Sequence, residues 1–158
     1  MSVILRAIAC LCLFALAAHA AGNITSQYCA PTDDPNTCAN LVEIAQALNY
    51  QSWTFHRAWL SNTTYCFWDG INCASGSNVI ILLDLSMNNI QGPLPPVIGT
   101  MHTLQHLSFA QNQLSGSLPD FISSLTNLNF LSLNSNQFTG SVPDSYSAFS
   151  QMVEFGRS

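Results

Sequence analysis

Apolar residues in the second half of the chain recur every 24 positions. Ile80, Leu104 and Leu128 open successive copies, and Met152 opens a fourth that the sequence leaves incomplete. Three places further on stand Leu83, Leu107, Leu131 and Phe155, and five places on stand Leu85, Phe109 and Leu133. Alternating apolar residues of this kind predict a short strand in each copy, with its apolar side turned inward. One such coil cannot bury its apolar face alone, so the copies are expected to stack into a parallel sheet with a continuous core. Asn88, Asn112 and Asn136 share a column where the coil leaves the strand. A buried amide there can bond the backbone groups that the turn leaves unpaired, which predicts a structural asparagine ladder. The Gly92, Gly116 and Gly140 column predicts a positive φ or a close approach. Pro95, Pro119 and Pro143 end the local strand on the far side, because proline lacks a donor. Ile98, Ile122 and Tyr146, each followed three places later by Met101, Leu125 and Phe149, predict a short helical turn on the convex side.

The first half has a different pattern. Leu41, Ile44, Ala45 and Leu48 fall at helical spacing and predict an amphipathic helix, with Thr37 or Asn40 as its N-cap. Trp53, Phe55, Trp59 and Leu60 predict a second packing layer. The continuous apolar run Val79–Leu83 suits a strand buried between this region and the first repeat. At the start of the chain, Arg6, an apolar run over Ala7–Ala18 and the small-x-small stretch Ala18-His19-Ala20 predict a signal peptide over residues 1–20. The run is too short to span a bilayer comfortably, where about 20 residues are needed.

Removal of that leader leaves Cys29, Cys38, Cys66 and Cys73, an even count that in a secreted chain predicts two disulfides. Four cysteines allow three pairings, of which Cys29–Cys38 with Cys66–Cys73 is the simplest. Their spacing contains no CxxC and no clustered histidine, so no metal site is expected. Asn23-Ile24-Thr25 and Asn62-Thr63-Thr64 are N-glycosylation acceptors, in keeping with a secreted or cell-surface location. Charge narrows the partners further. The 158 residues include three Lys or Arg against eight Asp or Glu, and all three cations are Arg, for a net charge of −5. Such a chain has no basic face to neutralise phosphates, which argues against nucleic acid.

The columns LxxLxLxxNxLxGxLPxxI resemble the plant-type extracellular leucine-rich repeat. The distinguishing stretch reads Ile90-Gln91-Gly92-Pro93-Leu94-Pro95, Leu114-Ser115-Gly116-Ser117-Leu118-Pro119 and Phe138-Thr139-Gly140-Ser141-Val142-Pro143. Cys66-Phe67-Trp68-Asp69-Gly70-Ile71-Asn72-Cys73 is similar to the Cys-x-Trp-x-Gly-x-x-Cys element of that family's N-terminal cap, so the resemblance extends over residues 38–158. It implies an α/β fold: a right-handed leucine-rich-repeat solenoid with a parallel concave sheet and a helical, disulfide-bonded N-terminal cap. The expected division is a cap over 21–78 and repeats over 79–158, three of them complete. Two features depart from the family. A Cys29–Cys38 stretch precedes the cap's paired cysteines, and the sequence stops inside a fourth repeat, which points to a fragment of a longer protein.

On the sheet, the residues between the inward ones should face the concave side. The predicted lanes are Leu82, His106, Phe130 and Glu154; Asp84, Ser108, Ser132 and Gly156; and Ser86, Ala110, Asn134 and Ser158. Leu82, His106 and Phe130 would form an exposed apolar strip, a feature of binding surfaces. The expected ligand-binding residues are Leu82, Asp84, His106, Ser108, Phe130, Ser132 and Asn134. Asp84, His106 and Ser108 have the composition of a hydrolytic triad, but a serine in mid-strand has neither a strained elbow nor placed oxyanion donors, so no enzyme is expected. Asp33 and Asp34 lack a calcium loop and are read as a solvated turn. No cofactor is expected. The family resemblance implies non-catalytic recognition of an extracellular protein, peptide or polysaccharide on the concave face. The alternatives are a secreted inhibitor of a cell-wall hydrolase, similar to polygalacturonase-inhibiting proteins, and the N-terminal part of a membrane receptor ectodomain similar to those of receptor-like kinases. Membrane attachment would then require a span beyond this sequence.

Overall fold

The computed structural model describes residues 27–149 and the strand at 153–154; residues 1–20, expected to be a signal peptide, and Asn23 lie outside them. Helix α1 (Pro35–Ala47) opens this region. Leu41, Ile44 and Ala45 lie on its inner side and are fully buried, as the spacing predicts. Its N-cap is neither Thr37 nor Asn40 but Asp34, whose side chain accepts the Thr37 N–H at 2.7 Å. Pro35 follows at the first helical position, where a missing N–H costs nothing. The Thr37 N–H, more than any other contact, holds the exposed Asp34 carboxyl below its ordinary range.

Both disulfides join nearest neighbours, Cys29 to Cys38 and Cys66 to Cys73. The Cys29–Cys38 stretch docks through Asp33. Its carboxylate accepts the Ala30 N–H at 3.0 Å, the Thr64 hydroxyl at 2.5 Å and the Tyr65 N–H at 3.3 Å. Asp33 is therefore a tether between the two disulfide segments rather than a solvated turn residue. Trp53 and Trp59 of the expected second layer pack together and are joined by Trp68, with ring centroids 5.0 and 5.1 Å apart. Each indole N–H finds a carbonyl, those of Leu48, Asp69 and Thr63 respectively, so three large rings are buried without an unpaired donor. Phe55 does not join them; it is 53% exposed.

Five strands form the main sheet: β1 (Ile71–Cys73), β2 (Ile80–Asp84), β4 (His106–Ser108), β6 (Phe130–Ser132) and β8 (Val153–Glu154). From β2 onward the pairs are parallel, and Leu82 lies beside His106 and His106 beside Phe130, as the 24-residue period requires. Two features of this sheet were not read from the sequence. Strand β1 comes from the disulfide region and pairs antiparallel with β2, closing its open edge. At the other end, Val153 pairs with Leu131 and Glu154 with Ser132, so Glu154 is not beside Phe130. The register there is two residues away from the one the period predicts.

A second parallel sheet was not foreseen either. It contains β3 (Gln91–Gly92), β5 (Gln113–Ser117) and β7 (Gln137–Thr139). Beyond it, Pro95, Pro119 and Pro143 precede 3-10 turns at Pro96–Thr100, Asp120–Ser124 and Asp144–Ala148, where the columns predict them. Asn40 on α1 donates to the Thr100 hydroxyl at 3.0 Å and ties the N-terminal layer to the first of these turns.

The asparagine column works through its amides. Asn112 Oδ1 accepts the N–H groups of Asn88 and Ile90, and its Nδ2 donates to the carbonyls of Leu85 and Phe109. Asn136 repeats this one coil later, accepting from Leu114 N–H and donating to Phe109 and Leu133 carbonyls. Asn88, with no coil before it, holds Phe55 instead, accepting its N–H at 2.5 Å and donating to its carbonyl at 2.9 Å. The Gly92, Gly116 and Gly140 column has φ between 85 and 91°, with open space where a Cβ would stand at two of the three. Its requirement is therefore conformational.

Candidate functional site

The residues expected to bind lie on and beside the main sheet. Leu82, His106 and Phe130 are half-buried and form a continuous lane. His106 and Phe130 stack with centroids 4.2 Å apart and planes 10° from parallel. This is the contact expected of neighbours on parallel strands about 4.8 Å apart. Rings stacked along the lane turn their edges, rather than their faces, away from the sheet. Asn72, on the antiparallel β1, extends the lane beyond Leu82.

The second lane differs from its reading. Asp84 is exposed, but Ser108 and Ser132 are buried, at 4% and 3% exposure, rather than open to solvent. The Ser108 hydroxyl is 2.6 Å from that of Ser86, and the Ser132 hydroxyl donates to Asn134 Oδ1 at 2.7 Å. Small hydroxyls between larger neighbours sink below the surface and bond polar groups beside them. These contacts also take apart the triad-like composition. Asp84 lies in register with Ser108, accepts the Ser86 N–H at 3.0 Å, and forms no ion pair with His106, whose ring lies on Phe130. Asn134 is half-buried at the end of its lane.

Among the described residues, no three His, Cys, Asp or Glu side chains are grouped to hold a metal ion. Asn62 of the second glycosylation motif is exposed. Two buried tyrosines have raised pKa values. Burial raises Tyr65 and, more strongly, Tyr146, to which the Asp120 charge adds. The Tyr146 hydroxyl donates to the Pro119 carbonyl at 2.9 Å. Among the described residues, no helix is long and apolar enough to cross a membrane.

Two exposed residues beside the sheet were missed. Met87 is 57% exposed with φ of 54°, and Phe55 stands near it at the rim of the N-terminal layer. The sequence carries a signal for Met87, since its counterparts in the next copies are the polar Gln111 and Ser135. Phe55 carries no comparable signal, because its place between Trp53 and Trp59 reads as core.

Comparison with known proteins agrees with this geometry. Leucine-rich-repeat family models match residues 80–101 as one repeat and 102–145 as two copies. Receptor-like protein 47 of Arabidopsis thaliana is 36% identical over 56 residues, 35% of this chain and 7% of that protein. A plant ice-binding protein of known structure superposes with a TM-score of 0.71 and 30% identity, over 80% of this chain and 42% of its own. The BIR3–SERK2 complex of Arabidopsis thaliana contains a chain that superposes at 0.58 with 29% identity, over 72% of this chain and 66% of its own. The chain thus spans a small part of the curated receptor-like relative and less than half of the ice-binding protein. The columns, the stacked parallel strands and these similarities make the chain a leucine-rich-repeat protein of the plant extracellular type.

Proposed function

We propose that this protein is a non-catalytic extracellular recognition module that binds a protein or peptide on the concave face of the main sheet. The observation that carries this reading is the Leu82–His106–Phe130 lane, an apolar strip left half-exposed on a face with few charges. The edge-on rings suit the side chains of a polypeptide better than the flat face of a sugar. A structural relative seen in a complex of two proteins supports a polypeptide partner. In the same proposal, residues 1–20 are a cleaved leader, residues 21–78 cap a right-handed coil and residues 79–158 form its repeats. A variant tests the binding face. Phe130→Ser should leave the melting curve nearly unchanged and abolish capture of the partner by the secreted, glycosylated chain from extracellular fluid. Capture unaffected by the substitution counts against the proposal.

A second reading has its own observation. The β3–β5–β7 sheet exposes Gln91, Gln113, Ser117, Gln137 and Thr139, a charge-free polar face repeating at strand spacing. The likeness to an ice-binding protein makes ice a candidate for that face. A freezing-point hysteresis lost in Gln113→Glu supports this reading, and no hysteresis in the unaltered chain removes it.

A further inference from the structure

A cavity of about 760 Å³ opens where segments 54–57 and 69–70 of the N-terminal layer meet segment 84–88 of the first coil. Its apolar walls include Phe55 and Met87, two of the most exposed large apolar side chains described. Both rest on fixed backbone. Phe55 is held at its N–H and its carbonyl by the Asn88 amide, and the Met87 N–H is bound to the Ala110 carbonyl at 2.9 Å. The cavity is also lined by three charged groups: Arg57, Asp69 and Asp84. Arg57 and Asp69 offset each other. Asp69 accepts the Arg57 backbone N–H at 2.6 Å, and its other oxygen lies 3.5 Å from Arg57 Nε. Among the described residues Asp84 has no such counter-ion, and Arg57 is their sole Lys or Arg. The cavity thus combines two apolar walls with one uncompensated carboxylate.

We propose that this cavity receives a basic side chain, arginine or lysine, of an extracellular peptide, with an adjacent apolar residue lying against Phe55 and Met87. Charge complementarity selects this occupant. An anionic group would face Asp84, and a neutral one would leave the carboxylate uncompensated. A guanidinium can bond the carboxylate and also lie over the Phe55 ring. The site rests on the recognition reading only in that Asp84 belongs to both the sheet and the cavity. Its location under the N-terminal layer is independent of the Phe130 lane.

The test uses the full secreted chain with three acetylated, amidated tripeptides, Leu-Arg-Leu, Leu-Gln-Leu and Leu-Glu-Leu, followed by the NMR shift of the Met87 methyl group. Leu-Arg-Leu should bind about 10-fold more tightly than Leu-Gln-Leu, the scale of one charge-assisted hydrogen bond, and Leu-Glu-Leu should bind most weakly. Asp84→Asn keeps an oxygen for the Ser86 N–H, so it should fold and bring the Arg and Gln peptides to the same affinity. Phe55→Ser should weaken both alike, and Phe130→Ser should leave both unchanged. Three results overturn the proposal: a Met87 methyl that no peptide shifts, a preference for arginine that survives Asp84→Asn, or a loss of that preference in Phe130→Ser. Failure of partner capture in the Phe130 experiment leaves this assignment standing, so the two proposals fail separately.

Discussion

Replacing Asn112 by alanine removes one amide that serves five backbone groups: the N–H of Asn88 and Ile90 and the carbonyls of Leu85, Phe109 and Ala110. Two of the five keep another partner. Phe109 O also accepts from Asn136 Nδ2, and Ala110 O also accepts from the Met87 N–H. The other three, Asn88 N–H, Ile90 N–H and Leu85 C=O, are left without one. At about 1–3 kcal/mol for each orphaned group the sum is roughly 3–9 kcal/mol. Water entering the vacated space relieves part of this, so a loss of about 3 kcal/mol is expected. That is a large share of a typical total of about 5–15 kcal/mol. Asn136→Ala should cost less, about 1 kcal/mol, because Asn136 is half-buried and its oxygen serves one N–H. Urea unfolding at constant m measures both. Asn112→Asp adds a sign. Its acceptor remains, but an ionised carboxylate would face carbonyls, which raises its folded pKa. That variant should be most stable at low pH and lose stability as pH rises. A loss below about 1 kcal/mol for Asn112→Ala, or a larger loss for Asn136→Ala, refutes the account of the ladder.

Three further outcomes follow from the geometry. Gly70 has φ of 81°, its carbonyl accepts the Asp84 N–H at 2.7 Å, and a Cβ there would overlap the Asp84 carbonyl oxygen. Gly70→Ala should therefore cost about 2 kcal/mol or more and speed hydrogen exchange at the Asp84 amide, while unchanged exchange removes the argument. Raised pKa values at Tyr65 and Tyr146 mean that stability is whole below pH 10 and falls as pH rises past the unfolded tyrosine value, mainly through Tyr146, at up to about 1.4 kcal/mol per pH unit. Tyr146→Phe should flatten that slope in alkaline melting curves, and an unaltered slope would contradict its assignment to Tyr146. Replacing both Cys29 and Cys38 by alanine opens a nine-residue separation and should lower stability by about 2.5 kcal/mol, read from the urea midpoint. A midpoint that stays put would show that the Asp33 bonds suffice to hold the segment.

The repeat made much of the fold legible. Each column repeats one local demand: apolar side chains inward, an amide at the turn, a positive φ at Gly92, Gly116 and Gly140, and a 3-10 turn after each proline. Those demands lie within one coil or between neighbours 24 residues apart, so the periodicity displays them directly. Leu82, His106 and Phe130 could be placed in one lane for the same reason, since register on parallel strands follows the period. The two disulfides followed the shortest spacing.

Other features depended on contacts between segments far apart in the chain, or on side chains competing for room. Periodicity sets Ser108 and Ser132 on the same side of the sheet as His106 and Phe130, but their burial follows from hydroxyl bonds to Ser86 and Asn134 and from larger neighbours. Asp33 reads as a turn residue until Thr64 and Tyr65 are brought to it across more than 30 residues of sequence. The cavity beside Asp84 exists because Asn88 grips Phe55 and Gly70 lets the N-terminal layer approach the first strand. Sequence by itself determined the coil, because a repeated pattern states its neighbour contacts many times over. Tertiary structure alone decided where that coil meets the layer before it, because each contact at the junction occurs once and joins residues that no period relates.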